Sequence, residues 1–174
     1  RVSVPQKMMV LDAVALAKEG KSAVEIKEML DGSAMDCAIY IAVDTLKYLK
    51  RGGRITGAAA AVGTVLNIKP VLLMRGEKLD SYEKARGMKG ARRIMLQAVR
   101  GELEGSFKEY AQRGEVCLQM AHTCADEEMA AEWEARIRDE FPDLALYSAR
   151  LPLCTACHIG PDALGIGITR RIRK

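Results

Sequence analysis

Segments with the composition of β-strands follow one another along this 174-residue chain without a regular helical crossover after each, and this order constrains the fold most. Residues 71–74 and 79–86 flank Gly76 and predict an antiparallel hairpin, because glycine supplies the turn conformation. A doubly wound parallel sheet needs a helix between consecutive strands. The predicted fold class is therefore α+β, a mixed or antiparallel sheet packed by helices, with strands at residues 38–43, 71–74, 79–86, 116–121, 144–149 and 164–169.

Capping residues and apolar periodicity predict helices between and before these strands. A first helix is expected from about residue 5 to Gly20, with Ser3 as its cap. Ser22 and Glu25 have the spacing of a capping box, which predicts a second, short helix. Further helices are expected over residues 91–99, where apolar side chains recur at helical spacing, and after the acidic cluster at 126–128.

Composition favours a globular, soluble chain. Hydrophobic residues make up 49% and charged residues 29%, and no run approaches the roughly 18 apolar residues of a membrane span. The formal charge is +4, and the only concentrated basic run is at residues 170–174, which is too little to predict nucleic-acid binding. An odd number of cysteines, five, favours reduced thiols and hence a cytoplasmic protein. The chain begins with Arg1 and no signal-peptide pattern, so we expect it to start inside a longer polypeptide.

The segment 57–66 carries no charge and consists mostly of alanine, glycine and valine. As a helix it would be buried on all sides and could approach its neighbours closely. Pro70 cannot continue such a helix. The segment is therefore predicted to be a buried helix that ends before Pro70.

The C-x-x-C-H pattern at residues 154–158 has three interpretations. Covalent haem attachment uses this motif but requires export, which nothing else in the sequence supports. Zinc would need Cys154, Cys157 and His158 to be joined by His122 or Cys124, although that second pair is poorly spaced. The third interpretation is a set of small buried thiols beside a loop, with no metal.

Basic residues next to glycines are the remaining candidates for ligand binding. Arg54 follows a double glycine, Arg86 precedes Gly87, and His158 precedes Gly160. Close backbone approach at glycine together with Arg or His suits an anion such as a carboxylate, while ordinary loop capping is the alternative. Phosphate-loop, dinucleotide-binding and G-x-S-x-G patterns are absent from the sequence, so no catalytic residues and no enzyme activity are predicted.

Five segments, taken in order, resemble the DegV family of bacterial fatty-acid-binding proteins. They are DTLKYL at 44–49, GGRIT at 52–56, NIKP at 67–70, KARG at 84–87 and HIGPDALG at 158–165. The resemblance implies a two-lobed carrier that encloses an acyl chain between its lobes and presents the carboxylate to a fatty-acid kinase. The acyl-phosphate would then enter phospholipid metabolism, and the carrier itself would need no cofactor.

The resemblance also implies roles for individual residues. Arg54, Thr56, His158 and Gly160 would lie near the ligand carboxylate, and Arg86 would lie on the side that docks the kinase. The acyl chain would be lined by Ala59, Val62, Gly63, Leu66 and Ile68. Asp162 stands where the family usually has a second glycine and brings a carboxylate close to His158.

The resemblance to a two-lobed family also predicts how the sequence divides between the lobes. Residues 1–36 hold the first two predicted helices and precede any strand, so they are predicted to be a helical remnant of the first lobe. Residues 37–174 would form the C-terminal α+β lipid-binding lobe. The rival hypothesis for the whole chain is a zinc-stabilised or redox Cys/His domain.

Overall fold

A computed structural model describes residues 2–55, 68–76 and 78–173. The predicted helix at 57–66 lies outside these residues. In chain order the elements are α1 (Ser3–Lys18), α2 (Ala23–Gly32), β1 (Cys37–Ala42), α3 (Lys47–Arg51), β2 (Ile68–Arg75), β3 (Lys78–Arg86), α4 (Gly87–Glu104), α5 (Lys108–Gln112), β4 (Val116–His122), α6 (Glu127–Glu140), β5 (Leu146–Arg150), α7 (Leu153–Ile159) and β6 (Leu164–Arg170).

The strands form one six-stranded sheet in the order β3-β2-β1-β6-β4-β5. Strands β2 and β3 form the predicted antiparallel hairpin, and β1, β6 and β4 continue the antiparallel pairing. Only β4 and β5 run parallel among the described strands, and α6 connects them. The predicted α+β class with a mixed sheet is confirmed.

One face of the sheet packs against α4 and α6. Tyr40, Leu118 and Ile166 point from three neighbouring strands into this layer, where they join Met95 of α4 and Trp133 of α6. The indole Nε1 of Trp133 donates a hydrogen bond to the carbonyl oxygen of Gly165 at 3.3 Å. This face is closed, because each of these side chains is at most 2% exposed.

The opposite face is covered only in part, by α1, α3 and α7. Leu49 of α3 and Ile159 of α7 pack on Ile41 and Leu72 near one end of the strands. Val4 and Met8 of α1 pack on Cys117 of β4. The space between these two clusters forms the cavities described below.

Helix α1 is tied to the end of the chain by the buried carboxylate of Asp12. This carboxylate accepts hydrogen bonds from Arg171 Nε at 2.6 Å, from the Ile172 amide at 3.1 Å and from the Arg173 amide at 3.4 Å. Asp12 is fully buried, so these bonds compensate for its loss of water. Residues 1–36 therefore include a helix that packs on the sheet, and the division at residue 36 stays a prediction.

Local predictions fared differently at the two leading helices. The capping box of α2 is confirmed: the Glu25 amide donates to Ser22 Oγ at 3.3 Å, and the Ser22 amide donates to Glu25 Oε2 at 2.8 Å. Ser3 was wrongly predicted as a cap, because α1 starts at Ser3 itself and Val2 occupies the cap position without a side-chain bond. No helix in the described part of the chain is long and apolar enough to cross a membrane.

Candidate functional site

Arg54 and His158, distant in sequence, line one cavity of about 310 Å³ on the partly covered face of the sheet. We call this cavity the mouth. The rest of its wall is mainly apolar and includes Ile41, Leu49 and Ile159. Arg54 is exposed and His158 is partly buried, so both can reach a group that enters from solvent. The structure thus brings these two predicted residues to one cavity, and their role as ligands of a carboxylate stays a prediction.

Arg54 is positioned by the turn that ends α3. Its amide donates to the Leu49 carbonyl at 3.1 Å, while the Gly53 amide donates to the Lys50 carbonyl at 3.2 Å. Gly53 adopts a φ of +62°, a conformation that costs glycine little. This pair of bonds is the Schellman motif, a common helix ending that fixes where the next residue leaves the helix.

His158 lies in the last turn of α7, directly against the backbone of Gly52. A Cβ at position 52 would be 2.5 Å from His158 Nδ1, which is closer than real contacts allow. The two glycines are therefore needed for different reasons. Gly53 adopts the turn conformation, and Gly52 leaves room for the imidazole of His158. The sequence indicated close approach at this pair but not the partner that approaches.

Gly160 and Thr123 hold the loop after α7. Gly160 has a φ of +89°, and a Cβ there would lie 2.5 Å from the Tyr48 ring. Thr123 Oγ1 donates to the Gly160 carbonyl at 2.6 Å and accepts from the Ala163 amide at 2.9 Å. Gly160, predicted to lie near the ligand carboxylate, packs on Tyr48 and is not part of the wall of the mouth, and Thr123 is a residue holding this loop that the sequence did not reveal.

Asp162 takes up the left-handed conformation that its position requires, with a φ of +54°. Its Oδ1 accepts a hydrogen bond from the Ala125 amide at 3.3 Å, in the loop between β4 and α6. The Asp162 carboxylate, which the sequence placed close to His158, thus bonds this amide and not the imidazole. An aspartate can therefore replace glycine here, because aspartate tolerates this conformation and its side chain bonds a local amide.

A narrow apolar groove continues from the mouth along β6. The two share the side chains of Val2, Ile41, Met74, Thr155 and Ile159 in their walls, so they adjoin. The floor of the groove is made by two glycines of β6, Gly165 and Gly167. Because these glycines present no side chain, the sheet is bare between α1 and α7.

Alternation along β6 explains the bare floor. Leu164, Ile166 and Ile168 point into the core beneath α4 and α6, which leaves Gly165 and Gly167 on the groove face. A Cβ at Gly165 would lie 3.5 Å from two neighbouring carbonyl oxygens and 3.7 Å from the Ile41 side chain, which are ordinary contacts, so a methyl group would fit there without a clash. Sequence reasoning identified the strand but missed these residues, although glycine alternating with leucine and isoleucine was a visible signal.

The other predicted site residues lie elsewhere. Ile68 is the first residue of β2, where it pairs with Arg86 of β3, and the walls of the mouth and groove do not include either of them. Arg86 is exposed at the cap position of α4. The remaining predicted residues are outside the described part of the chain: Thr56, Ala59, Val62, Gly63 and Leu66.

The cysteines correct one sequence interpretation. Cys154 and Cys157 were interpreted as buried thiols beside a loop, but both are exposed on helix α7. The buried thiols are Cys37, Cys117 and Cys124, and burial raises the pKa of Cys117 to about 11. Within residues 2–55, 68–76 and 78–173, no group of three His, Cys, Asp or Glu side chains is arranged to hold a metal ion.

Comparison with known proteins assigns this architecture to a family. A sequence model described as an uncharacterised protein of the DegV family matches residues 1–171. The chain belongs to the DegV family. A DegV domain-containing protein of Deinococcus radiodurans is 31% identical over 162 residues, which are 92% of this chain and 54% of the relative. The chain thus spans about half the length of the curated relatives that it matches.

Solved structures of DegV proteins share the fold. One is a DegV family protein from Thermus thermophilus that is described as binding fatty acids. It has a TM-score of 0.82 and is 32% identical to this chain. The alignment covers 97% of this chain and 57% of the Thermus protein. A stearic-acid-binding protein from Eubacterium ventriosum has a TM-score of 0.85 over 98% of this chain and 57% of its own. At 22% identity, this second likeness concerns the fold alone.

Proposed function

We propose that this chain is part of a bacterial cytoplasmic carrier that binds a fatty acid, with the acyl chain in the groove and the carboxylate in the mouth. The observation that carries the proposal is the continuity of the two spaces. An apolar groove floored by Gly165 and Gly167 opens into a cavity lined by Arg54 and His158. A fatty acid has the same division, with a long apolar tail and one anionic end.

The charge at the mouth is available to a ligand. Arg54 and His158 form no ion pair or hydrogen bond with another side chain among the described residues, whereas Arg75 and Arg171 are each paired with a carboxylate. A carboxylate between them would gain charge-assisted hydrogen bonds, which contribute about 1.5–3 kcal/mol each. The tail would gain about 0.8 kcal/mol for each methylene removed from water. Burial of the tail would therefore supply most of the binding free energy, and the bonds to the carboxylate would fix which way the ligand lies in the site.

The carrier would pass its ligand to another protein. Within this proposal, the carboxylate lies at the mouth, where Arg54 is exposed, and a fatty-acid kinase could reach it there. Arg86, exposed on β3, remains the proposed docking residue, and Thr56 remains a proposed carboxylate ligand. The phosphorylation would belong to the kinase, so the chain itself would catalyse no reaction. The fatty-acid binding described for the Thermus thermophilus relative supports the ligand class.

The experiment compares a long-chain fatty acid with its methyl ester as ligands of the intact protein and its Arg54→Ala and His158→Ala variants. Loss of one charge-assisted bond should weaken binding of the acid by about 10- to 150-fold. Arg54→Ala should be the more damaging, because arginine stays charged at every accessible pH. Binding of the ester should change little, since it carries no charge.

Arg93→Ala is the matched control, because Arg93 is an exposed residue of α4, on the other side of the sheet. It should leave both affinities within about twofold. If both mouth variants are folded and still bind the acid within about twofold of the wild type, Arg54 and His158 do not bind the head group.

A further inference from the structure

Gln119 bounds the groove on the side that lies farthest across the sheet from the mouth: Met74, Ile39, Gly167 and Gln119 form one row across four strands, and of these only Met74 also lines the mouth. Gln119 lies on β4, directly beside Gly167 of β6, and Ile39 of β1 flanks the glycine on its other side. A Cβ at Gly167 would be 2.8 Å from Gln119 Oε1. The amide group therefore occupies the space above Gly167 in which a side chain of residue 167 would otherwise lie.

Hydrogen bonds fix this amide in place. Thr169 Oγ1 donates to Gln119 Oε1 at 2.9 Å, and Gln119 Nε2 donates to the Cys117 carbonyl oxygen at 3.1 Å. Nε2 also lies 3.0 Å from Cys117 Sγ. Gln119 is 1% exposed and Thr169 is fully buried. Moving the amide would leave buried polar groups without partners, which is costly, so the side chain acts as a rigid wall.

Beyond Gln119 the sheet surface is filled. The next row across the strands consists of Cys117, Thr169 and Cys37, each at most 5% exposed. Val4 and Met8 of α1 pack on Cys117 and cover it. The uncovered strip of sheet over Gly165 therefore ends at Gln119, and the row behind Gln119 is filled.

We propose that Gln119 sets the greatest acyl-chain length that the groove accepts. This inference rests on the proposed function, in which the carboxylate is held in the mouth by Arg54 and His158. With the head group held there, the methyl end of the tail meets the amide of Gln119. A longer tail must either bend or pull its carboxylate out of the mouth, and in both cases affinity falls.

The test measures affinity for a series of straight-chain saturated acids that differ by one methylene, by displacement of a fluorescent fatty acid from the intact protein. Gln119→Ala removes the wall, so the best-bound length should increase by about two methylenes, with a gain of about fourfold for each one newly buried. Gln119→Asn draws the amide back by one methylene and disturbs the buried row less. It should shift the optimum in the same direction by a smaller step.

Two glycine variants distinguish a limit on chain length from a general loss of affinity. Gly165→Ala places a methyl group nearer the mouth, at ordinary contact distance from its neighbours, so it should weaken all chain lengths alike. Gly101→Ala, in α4, meets nothing within 4 Å and should leave the series unchanged.

The possible failures are distinct. If the wild type binds acids but folded Gln119→Ala and Gln119→Asn both keep its length preference, the inference is overturned and the proposed function stands. If Gly165→Ala shifts the optimum as Gln119→Ala does, the limit is not set by Gln119. A wild type that binds no fatty acid overturns the proposed function and the inference together.

Discussion

The contact between Gly52 and His158 shows how the absence of one side chain can position another, here the imidazole at the mouth. Gly52 has a φ of −80°, which any residue can adopt, so its requirement for glycine comes from packing alone. A methyl group there would overlap the imidazole, at 2.5 Å from Nδ1. Gly53, by contrast, is required for its backbone conformation.

Gly52→Ala should therefore displace His158 while preserving the fold. We expect affinity for a long-chain fatty acid to fall by about the same factor as in His158→Ala, and the double variant to be no worse than either single one. A double-mutant cycle in a binding titration measures this. Gly32→Ala is the control, because a Cβ at Gly32 meets nothing within 4 Å. Fully additive losses would show that the two residues act separately.

Local and long-range features differ in how well the sequence predicted them. The Ser22 capping box was predictable because both of its bonds form within three residues of the chain. Ser3 was misassigned because the local sequence looks the same whether a serine caps a helix or is its first residue. The exposure of Cys154 and Cys157 depends on which face of α7 is covered, and no local pattern specifies that.

At the scale of the elements, strand order decides what lies in the groove. The alternation of β6 was visible in the sequence, but which of its faces is bare depends on the helices that cover the sheet. Gln119 comes beside Gly167 only because β4 and β6 pair in this register. Arg54 and His158 were candidates from the neighbouring glycines and from the family resemblance, whereas the positions of Gln119 and the two groove glycines depend on how the strands pair.

Helix α1 forms one wall of the groove, and Asp12 attaches it to the residues that follow β6. Asp12→Ala would leave the guanidinium of Arg171, which is mostly buried, without its carboxylate. We expect a loss of about 3–5 kcal/mol in the free energy of unfolding, measured by urea denaturation.

Glu19→Ala is the matched control, because Glu19 also joins α1 to the chain end through Arg173, but at the surface. Its loss should cost less than about 1 kcal/mol. An unchanged midpoint for Asp12→Ala would mean that α1 unfolds independently of the sheet, as expected if residues 1–36 belong mainly to another lobe.

At the scale of the whole molecule, the two adjoining spaces differ in character, because the groove is apolar and the mouth carries Arg54 and His158. The closed face of the sheet, beneath α4 and α6, supplies stability through a continuous apolar core. The other face is left open where β6 carries glycine, and helices α1, α3 and α7 surround that opening. In the proposed function, stability and ligand binding therefore belong to opposite sides of the same sheet.

The most direct test is photo-crosslinking with a stearic-acid analogue that carries a diazirine near its methyl end, followed by peptide mapping of the adducts. We expect adducts on the side of the groove away from the mouth, on Gln119 or Ile39, which disappear when excess stearic acid is added. Adducts confined to the α4 and α6 side of the sheet, near Met95 or Trp133, or adducts that excess stearic acid does not reduce, would contradict this expectation.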